Sequence, residues 1–149
     1  MHVREAEPTD LGAWATLRTA LWPQIDEDHT AEILAYFSDN STDIDKAYVL
    51  EDFDGEVVGF LELNVREFAE GSRHQRIPYI EAWYIDKPFR GLGYGRVLLQ
   101  TAEQWAIQKG FTQLASDTEI TNTDSIAIHK QLGFIETEHV ACFLKYLDE

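Results

Sequence analysis

Near the middle of the chain, the apolar segment Tyr79-Ile80-Glu81-Ala82-Trp83-Tyr84-Ile85 stops at Asp86-Lys87-Pro88. It is followed by Arg90-Gly91-Leu92-Gly93-Tyr94-Gly95, which opens the longest helical pattern of the sequence. A strand from about Pro78 to Ile85 thus leads through a glycine turn into a helix from about Gly93 to Lys109, closed at Gly110. Glycines admit dihedrals closed to other residues and let the main chain approach a ligand. Successive N–H groups at the helix start can then converge on an anion, helped by the helix dipole. A pyrophosphate suits such a turn, although a tight strand-to-helix connection without a ligand has the same local sequence. Two familiar phosphate motifs do not fit. The third glycine falls two rather than three residues after the second, which breaks G-x-G-x-x-G, and no Gly-Lys-Ser/Thr follows.

The flanking elements define the kind of sheet this unit joins. His2 to Glu5 reads as a short edge strand, and Thr9 or Asp10 can cap a helix whose Leu11, Trp14, Leu17 and Leu21 share a face before Pro23. A short helix is expected around Glu32 to Phe37. A hairpin follows, from Ala47 to Glu51 and back from Val57 to Val65 through Asp54-Gly55. Thr112 to Ser116 reads as a strand and Asn122 to Leu132 as a helix closed by Gly133. Phe134 to Thr137 and Ala141 to Leu147 read as a final strand pair. Antiparallel strands followed by strand–helix–strand–helix–strands predict an α+β fold, with a central mixed, mostly antiparallel sheet carrying helices on both faces. With no repeat, low-complexity tract or linker, residues 1–149 are expected to form one domain. A ligand is expected near the carboxyl end of the central strand.

Charge narrows the partners. The net charge is −15, and eleven acids lie between Asp26 and Glu56 against the single base Lys46. A field of that sign repels nucleic acid and anionic lipid and attracts polycations, although a plain soluble acidic surface has the same composition. No stretch reaches the roughly 20 apolar residues of a membrane span, and the first residues lack the apolar core of a signal peptide, so a cytoplasmic location is expected. Cys142, the one cysteine, lies in an apolar run and is expected to be buried and inert.

Arg90-x-x-Gly93-x-Gly95 between strand and amphipathic helix resembles the coenzyme A signature of the GNAT acetyltransferases. Asn122-x-x-Ser125-x-x-x-His129-x-x-x-Gly133-Phe134 resembles that family's second coenzyme-contacting helix and the strand after it. Within the family the chain is similar to the aminoglycoside 6′-N-acetyltransferases. The similarity runs through Leu17-Arg18, Leu21-Trp22-Pro23, Glu81 to Ile85, Ala115-Ser116-Asp117-Thr118 and Gly133 to Glu138. It is loosest over 24–46 and 68–77, the regions expected to line the acceptor site.

The resemblance implies direct transfer of acetyl from acetyl-coenzyme A to an amine, with no covalent enzyme intermediate and no metal. It implies a cationic small-molecule acceptor and a homodimer. It assigns the coenzyme to Arg90, Gly91, Leu92, Gly93, Tyr94, Gly95, Arg96 and Asn122, and to the strand Trp83-Tyr84-Ile85, whose main chain would hold the pantetheine arm and the developing oxyanion. The side chains of Trp83 and Tyr84 fit core packing equally well. An alkylammonium has a pKa of roughly 10, so a carboxylate must hold the cation and help remove its proton. Asp117 and Glu81 are the candidates for both catalysis and acceptor binding. As alternatives, Asp117 could be a turn or capping aspartate, and Glu81 could pair with a base on an adjacent strand. Trp22, Phe68 and Glu138 complete the expected acceptor contacts. Where many family members carry a tyrosine as general acid this chain has His129, which could donate that proton or could be a hydrogen-bonded core histidine. Two other readings stand beside aminoglycoside 6′-N-acetylation: a GNAT enzyme for another amine, and a non-catalytic acyl-coenzyme A-binding module.

Overall fold

The computed structural model describes residues 1–24 and 28–147. The acidic positions Asp26 and Glu27 lie outside the described residues. Five strands form one sheet in chain order: β1 (His2–Glu5), β2 (Lys46–Glu51), β3 (Val57–Arg66), β4 (Ile77–Ile85) and β5 (Ala115–Ser116). The first three pairings are antiparallel and β4–β5 is parallel. Among the described residues there are four α-helices, α1 (Leu11–Leu21), α2 (His29–Phe37), α3 (Tyr94–Gln108) and α4 (Thr123–Gln131). This is the mixed, mostly antiparallel sheet expected from the sequence. The parallel pair requires a crossover, and α3 supplies it.

Side-chain alternation gives the sheet two apolar faces. On one, Leu50, Leu61, Leu63 and Ile80 pack against Leu98, Leu99, Ala102 and Trp105 of α3. On the other, Ala47, Val49, Phe60 and Ala82 pack against Trp14 and Leu17 of α1 and Ile33 of α2. Helices therefore cover both faces, as expected. Ile80 and Ala82 are two residues apart yet face opposite ways. The reason is a β-bulge: Leu63 pairs with Ile80 and Glu62 with Ala82, so Glu81 is an extra residue with no opposite number. The bulge shifts the period of β4 by one and re-aims Glu81.

The N-terminal cap differs from expectation. A 3₁₀ turn, Pro8–Asp10, precedes α1, and Asp10 makes no side-chain cap. Its carboxylate instead accepts from Arg4 Nη1 and Nη2 (2.8 and 2.9 Å) and from the Glu7 backbone N–H (2.7 Å). The Arg4 hydrogen bonds hold that carboxyl below its ordinary pKa. α2 begins at His29 rather than Glu32, because Asp28 caps it by accepting from Ala31 N–H.

The expected final strand pair does not form. After α4 the segment 134–147 joins no ladder, and only Ala115–Ser116 of the anticipated Thr112 to Ser116 strand is paired. Strand pattern alone cannot supply a partner edge, and among the described residues the segment finds none. Phe134 packs against the α3 core, but the apolar side chains beyond it stay out: Ile135 is 86%, Phe143 92% and Leu147 87% exposed. Cys142 is exposed too, which corrects the expectation of a buried thiol. A tether to the body is Thr137 Oγ1, which donates to the Glu70 carbonyl (3.1 Å). No helix among the described residues is long and apolar enough to cross a membrane.

Candidate active site

β4 and β5 pair only at Tyr79–Ala115 and Ile80–Ser116. From Glu81 to Ile85 the β5 side of β4 is therefore unpaired, and the sheet opens there into a wedge whose main-chain polar groups are available to a ligand. The glycine turn stands at the wide end. Gly91 and Gly93 have φ of 78° and 90°, values that other residues rarely adopt, and Gly93 is the N-cap of α3. A Cβ built on either glycine meets nothing within 4 Å, so the turn fronts open space. The first N–H groups of α3 have no partner within the helix and carry the positive end of its dipole. Arg90, though exposed, folds back on the strand: its Nε donates to the Ile85 carbonyl (2.7 Å) and its guanidinium lies 5.2 Å from the Tyr84 ring centroid. It locks the turn to the end of β4. Arg96 is exposed at the mouth, as is Leu92, while Tyr94 is half-buried. Gly95 packs 3.6–3.8 Å from Ile85 and Trp83 for an added Cβ, so the first turn of α3 sits tightly on the strand. Trp83 and Ile85 face the α3 core and Tyr84 the α1 core. Their side chains are walls, leaving the strand's edge to bind.

Next to the bulge lies an open cavity of about 370 Å³, whose lining includes Trp22, Glu62, Arg66 and Glu81. The structure thus brings together Trp22 and Glu81, two of the expected acceptor residues. It also gives Glu81 the cross-strand base that the sequence left as its alternative. Arg66 Nε and Nη2 donate to the two carboxylate oxygens (2.7 and 2.6 Å), and the Glu81 hydrogen bond is the main reason the Arg66 pKa rises. Arg66 also lies 3.6 Å from the Tyr79 ring centroid. Tyr79 Oη donates to Asp117 Oδ2 (2.8 Å), and burial followed by that hydrogen bond raises the phenol's pKa well above its ordinary value. Asp117, exposed just beyond β5, is therefore linked to Glu81 through Tyr79 and Arg66.

Glu62 is the functional candidate that sequence reasoning missed. It is 1% exposed on the α1 face of β3, accepts from Trp14 Nε1 (2.9 Å) and lies 3.2 Å from Arg18 Nε. Arg18 in turn reaches Glu32 (2.6 Å), and its Nε and Nη1 are buried without a hydrogen-bond partner among the described residues. Burial pushes the Glu62 carboxyl up to about 7, against the pull of Arg18 and Trp14. The signal was present: Phe60-Leu61-Glu62-Leu63 sets a charge in an apolar strand, as does the segment around Glu81. Arg66, at the end of its strand, carried no such signal.

The remaining candidates are dispersed. His129 lies under the wedge: its Nδ1 donates to the Ser125 carbonyl (2.7 Å), and its Nε2 is hydrogen-bonded with Ser116 Oγ (2.8 Å). Trp83 and Phe134 enclose the ring at 5.5 and 5.1 Å. Both ring nitrogens thus have hydrogen-bond partners within the chain. Asn122 caps α4 by accepting from Ser125 N–H (3.1 Å). Trp22 stacks on His29 and lies under Arg18. Phe68 and Glu138 do not line the cavity and are exposed. The Thr137–Glu70 hydrogen bond nevertheless brings their segments together. No group of three or more metal-ligating side chains occurs among the described residues.

The chain belongs to the acetyltransferase (GNAT) family, whose model matches residues 13–134. It is 36% identical over 146 residues to the aminoglycoside N(6′)-acetyltransferase type 1 of Klebsiella aerogenes, covering 97% of this chain and 96% of that protein. The Serratia marcescens protein of the same name is 39% identical over 143 residues, covering 93% and 94%. Among solved structures, AAC(6′)-Iy in complex with the bisubstrate analog CoA-S-monomethyl-acetylneamine superposes with a TM-score of 0.87 at 29% identity, covering 97% of each chain. The aminoglycoside antibiotic 6′-N-acetyltransferase AAC(6′)-Ih from Acinetobacter baumannii gives 0.87 at 26% identity, covering 99% of each.

Proposed function

We propose that this chain is an acetyl-coenzyme A-dependent aminoglycoside 6′-N-acetyltransferase, and so confers resistance to those antibiotics. The observation that carries the reading is the placement of Glu81 at the bulge where the sheet divides. There an acidic cavity meets the coenzyme wedge, with Asp117 on the opposite lip. Relatives spanning nearly the whole chain bear that activity in their names.

Acetyl-coenzyme A, when bound, supplies the acetyl group as a thioester. Gly91 and Gly93, with the first N–H groups of α3, would receive the pyrophosphate, with Leu92, Tyr94, Gly95 and Arg96 shaping the mouth and Arg90 bracing the turn against Ile85. The free edge of Trp83-Tyr84-Ile85 offers N–H groups to the pantetheine arm and to the carbonyl oxygen as charge develops on it. Asn122 flanks the coenzyme from α4. On the acceptor side, Glu81 and Asp117 hold the ammonium. Asp117, being exposed, can pass the amine's proton to water. Trp22 offers an aromatic face to a sugar or its cation, while Phe68 and Glu138 close the outer rim. The chain works as one catalytic unit in the cytoplasm and, as a homodimer, covers the apolar side chains of 135–147.

A kinetic panel tests the reading. Kanamycin or tobramycin should elicit coenzyme A release with mass and NMR spectra placing the acetyl group on the 6′-nitrogen. Turnover of spermidine but of no aminoglycoside would instead identify an enzyme for another amine. Stoichiometric acetyl-coenzyme A binding without any transfer would identify a binding module.

A further inference from the structure

Both carboxylates assigned to the acceptor are already engaged from within the chain. Arg66 pairs in register with Ile77, so its side chain runs back along β4 to reach Glu81, and its guanidinium comes to rest over the Tyr79 ring. It donates to both Glu81 oxygens, while Tyr79 occupies Asp117. One cation thus neutralises the carboxylate and covers an aromatic face, the two things an acceptor's ammonium and sugar would need.

The pair is also placed to open. The Arg66 side chain is 39% exposed against 19% for Glu81, so the cation lies on the outer, solvent side and can swing away without disturbing the core. The other guanidinium of the cavity, Arg18, is 5% exposed and held between Glu32 and Glu62. It cannot leave in the same way. Four carboxylates, Glu32, Asp43, Glu62 and Glu81, line the cavity against these two guanidiniums. Departure of Arg66 therefore uncovers a full negative charge in a site already rich in acids.

We propose that Arg66 is an internal stand-in for the acceptor's cationic group, a specificity-determining residue that an incoming amine must displace from Glu81. The inference rests on the reading of Glu81 as an acceptor residue. Displacement favours acceptors of high charge, because a second ammonium can find Asp43, the cavity acid that Arg18 does not hold, while a single one must offset the whole Arg66 pair.

Arg66→Met removes the charge but keeps an unbranched apolar stem, and Arg66→Lys keeps the charge but loses the fork and the flat stack. In the methionine variant, KM for tobramycin should fall about two- to fivefold, the range expected for breaking a partly exposed charge pair. The lysine variant should fall between it and the wild type. Millimolar guanidinium chloride should refill the vacated place, inhibiting Arg66→Met competitively against the aminoglycoside while leaving wild-type KM unchanged. A methionine-variant KM equal to or above wild type, or the absence of guanidinium competition, overturns the proposal whatever kcat does. Failure of the acceptor reading would show separately, as wild-type enzyme that acetylates no aminoglycoside. In that case guanidinium titration of the methionine variant, followed by NMR at the Tyr79 and Glu81 amides, still decides whether the place exists.

Discussion

Two carboxylates with opposite surroundings define the residue scale. Glu62 is sealed beneath α1 with a pKa near 7, whereas an unfolded glutamate titrates at about 4.5. The folded state therefore binds its proton more tightly, and stability is lost as pH rises from the unfolded to the folded value. Thermal unfolding should show wild type losing about 3 kcal/mol relative to Glu62→Gln between pH 4.5 and 8. A gap that stays level over that range would mean the group does not titrate there. Asp117 is exposed and accepts a hydrogen bond from Tyr79. Asp117→Asn keeps the shape of the hydrogen bond but cannot take a proton, so turnover should drop about a hundredfold or more. Acetyl-coenzyme A affinity should stay near the wild-type value, and an equal loss of both would remove Asp117 from the acceptor side.

The elements that matter are the glycine turn and the bulge, and they differ in how plainly the sequence announces them. Gly91 and Gly93 were readable because positive φ restricts the residue type, leaving a mark in the sequence itself. Gly93→Val should weaken acetyl-coenzyme A binding about tenfold or more, through strain at φ 90° and a side chain placed in the open space before α3. Calorimetry on a variant with an unaltered circular dichroism spectrum checks this, and normal affinity would contradict it. The bulge at Glu81 left no such mark. Pro78 to Ile85 reads as an unbroken strand, and the one-residue slip is visible only in its pairing with β3. That slip puts Ala82 on the α1 face and aims Glu81 into the cavity. The carboxylate was picked out from its apolar neighbours, but its Arg66 partner depends on register and could not be.

At the scale of the whole molecule, an incomplete edge and a large charge stand out. Phe143, Leu144, Tyr146 and Leu147 are each at least 80% exposed, an unusual run for a chain in water. A homodimer that covers them should give a light-scattering mass about twice the 17.1 kDa of one chain, and Phe143→Asp with Leu147→Asp should return it to one. A wild-type mass of a single chain would sink the dimer. The net charge of −15 adds a long-range attraction for polycations, so KM for an aminoglycoside should rise with ionic strength, and more steeply than KM for acetyl-coenzyme A.

The order of elements as far as α4, the two apolar faces, the glycine turn and the family were determined by sequence, because each rests on local dihedral limits or on short-range periodicity. Tertiary structure alone decided three things: the bulge that aims Glu81, the Arg66 and Tyr79 contacts that tie Glu81 to Asp117, and the unpaired 134–147 segment. Each depends on which strand lies beside which, and in what register. The spacing of residues within one strand does not contain that information.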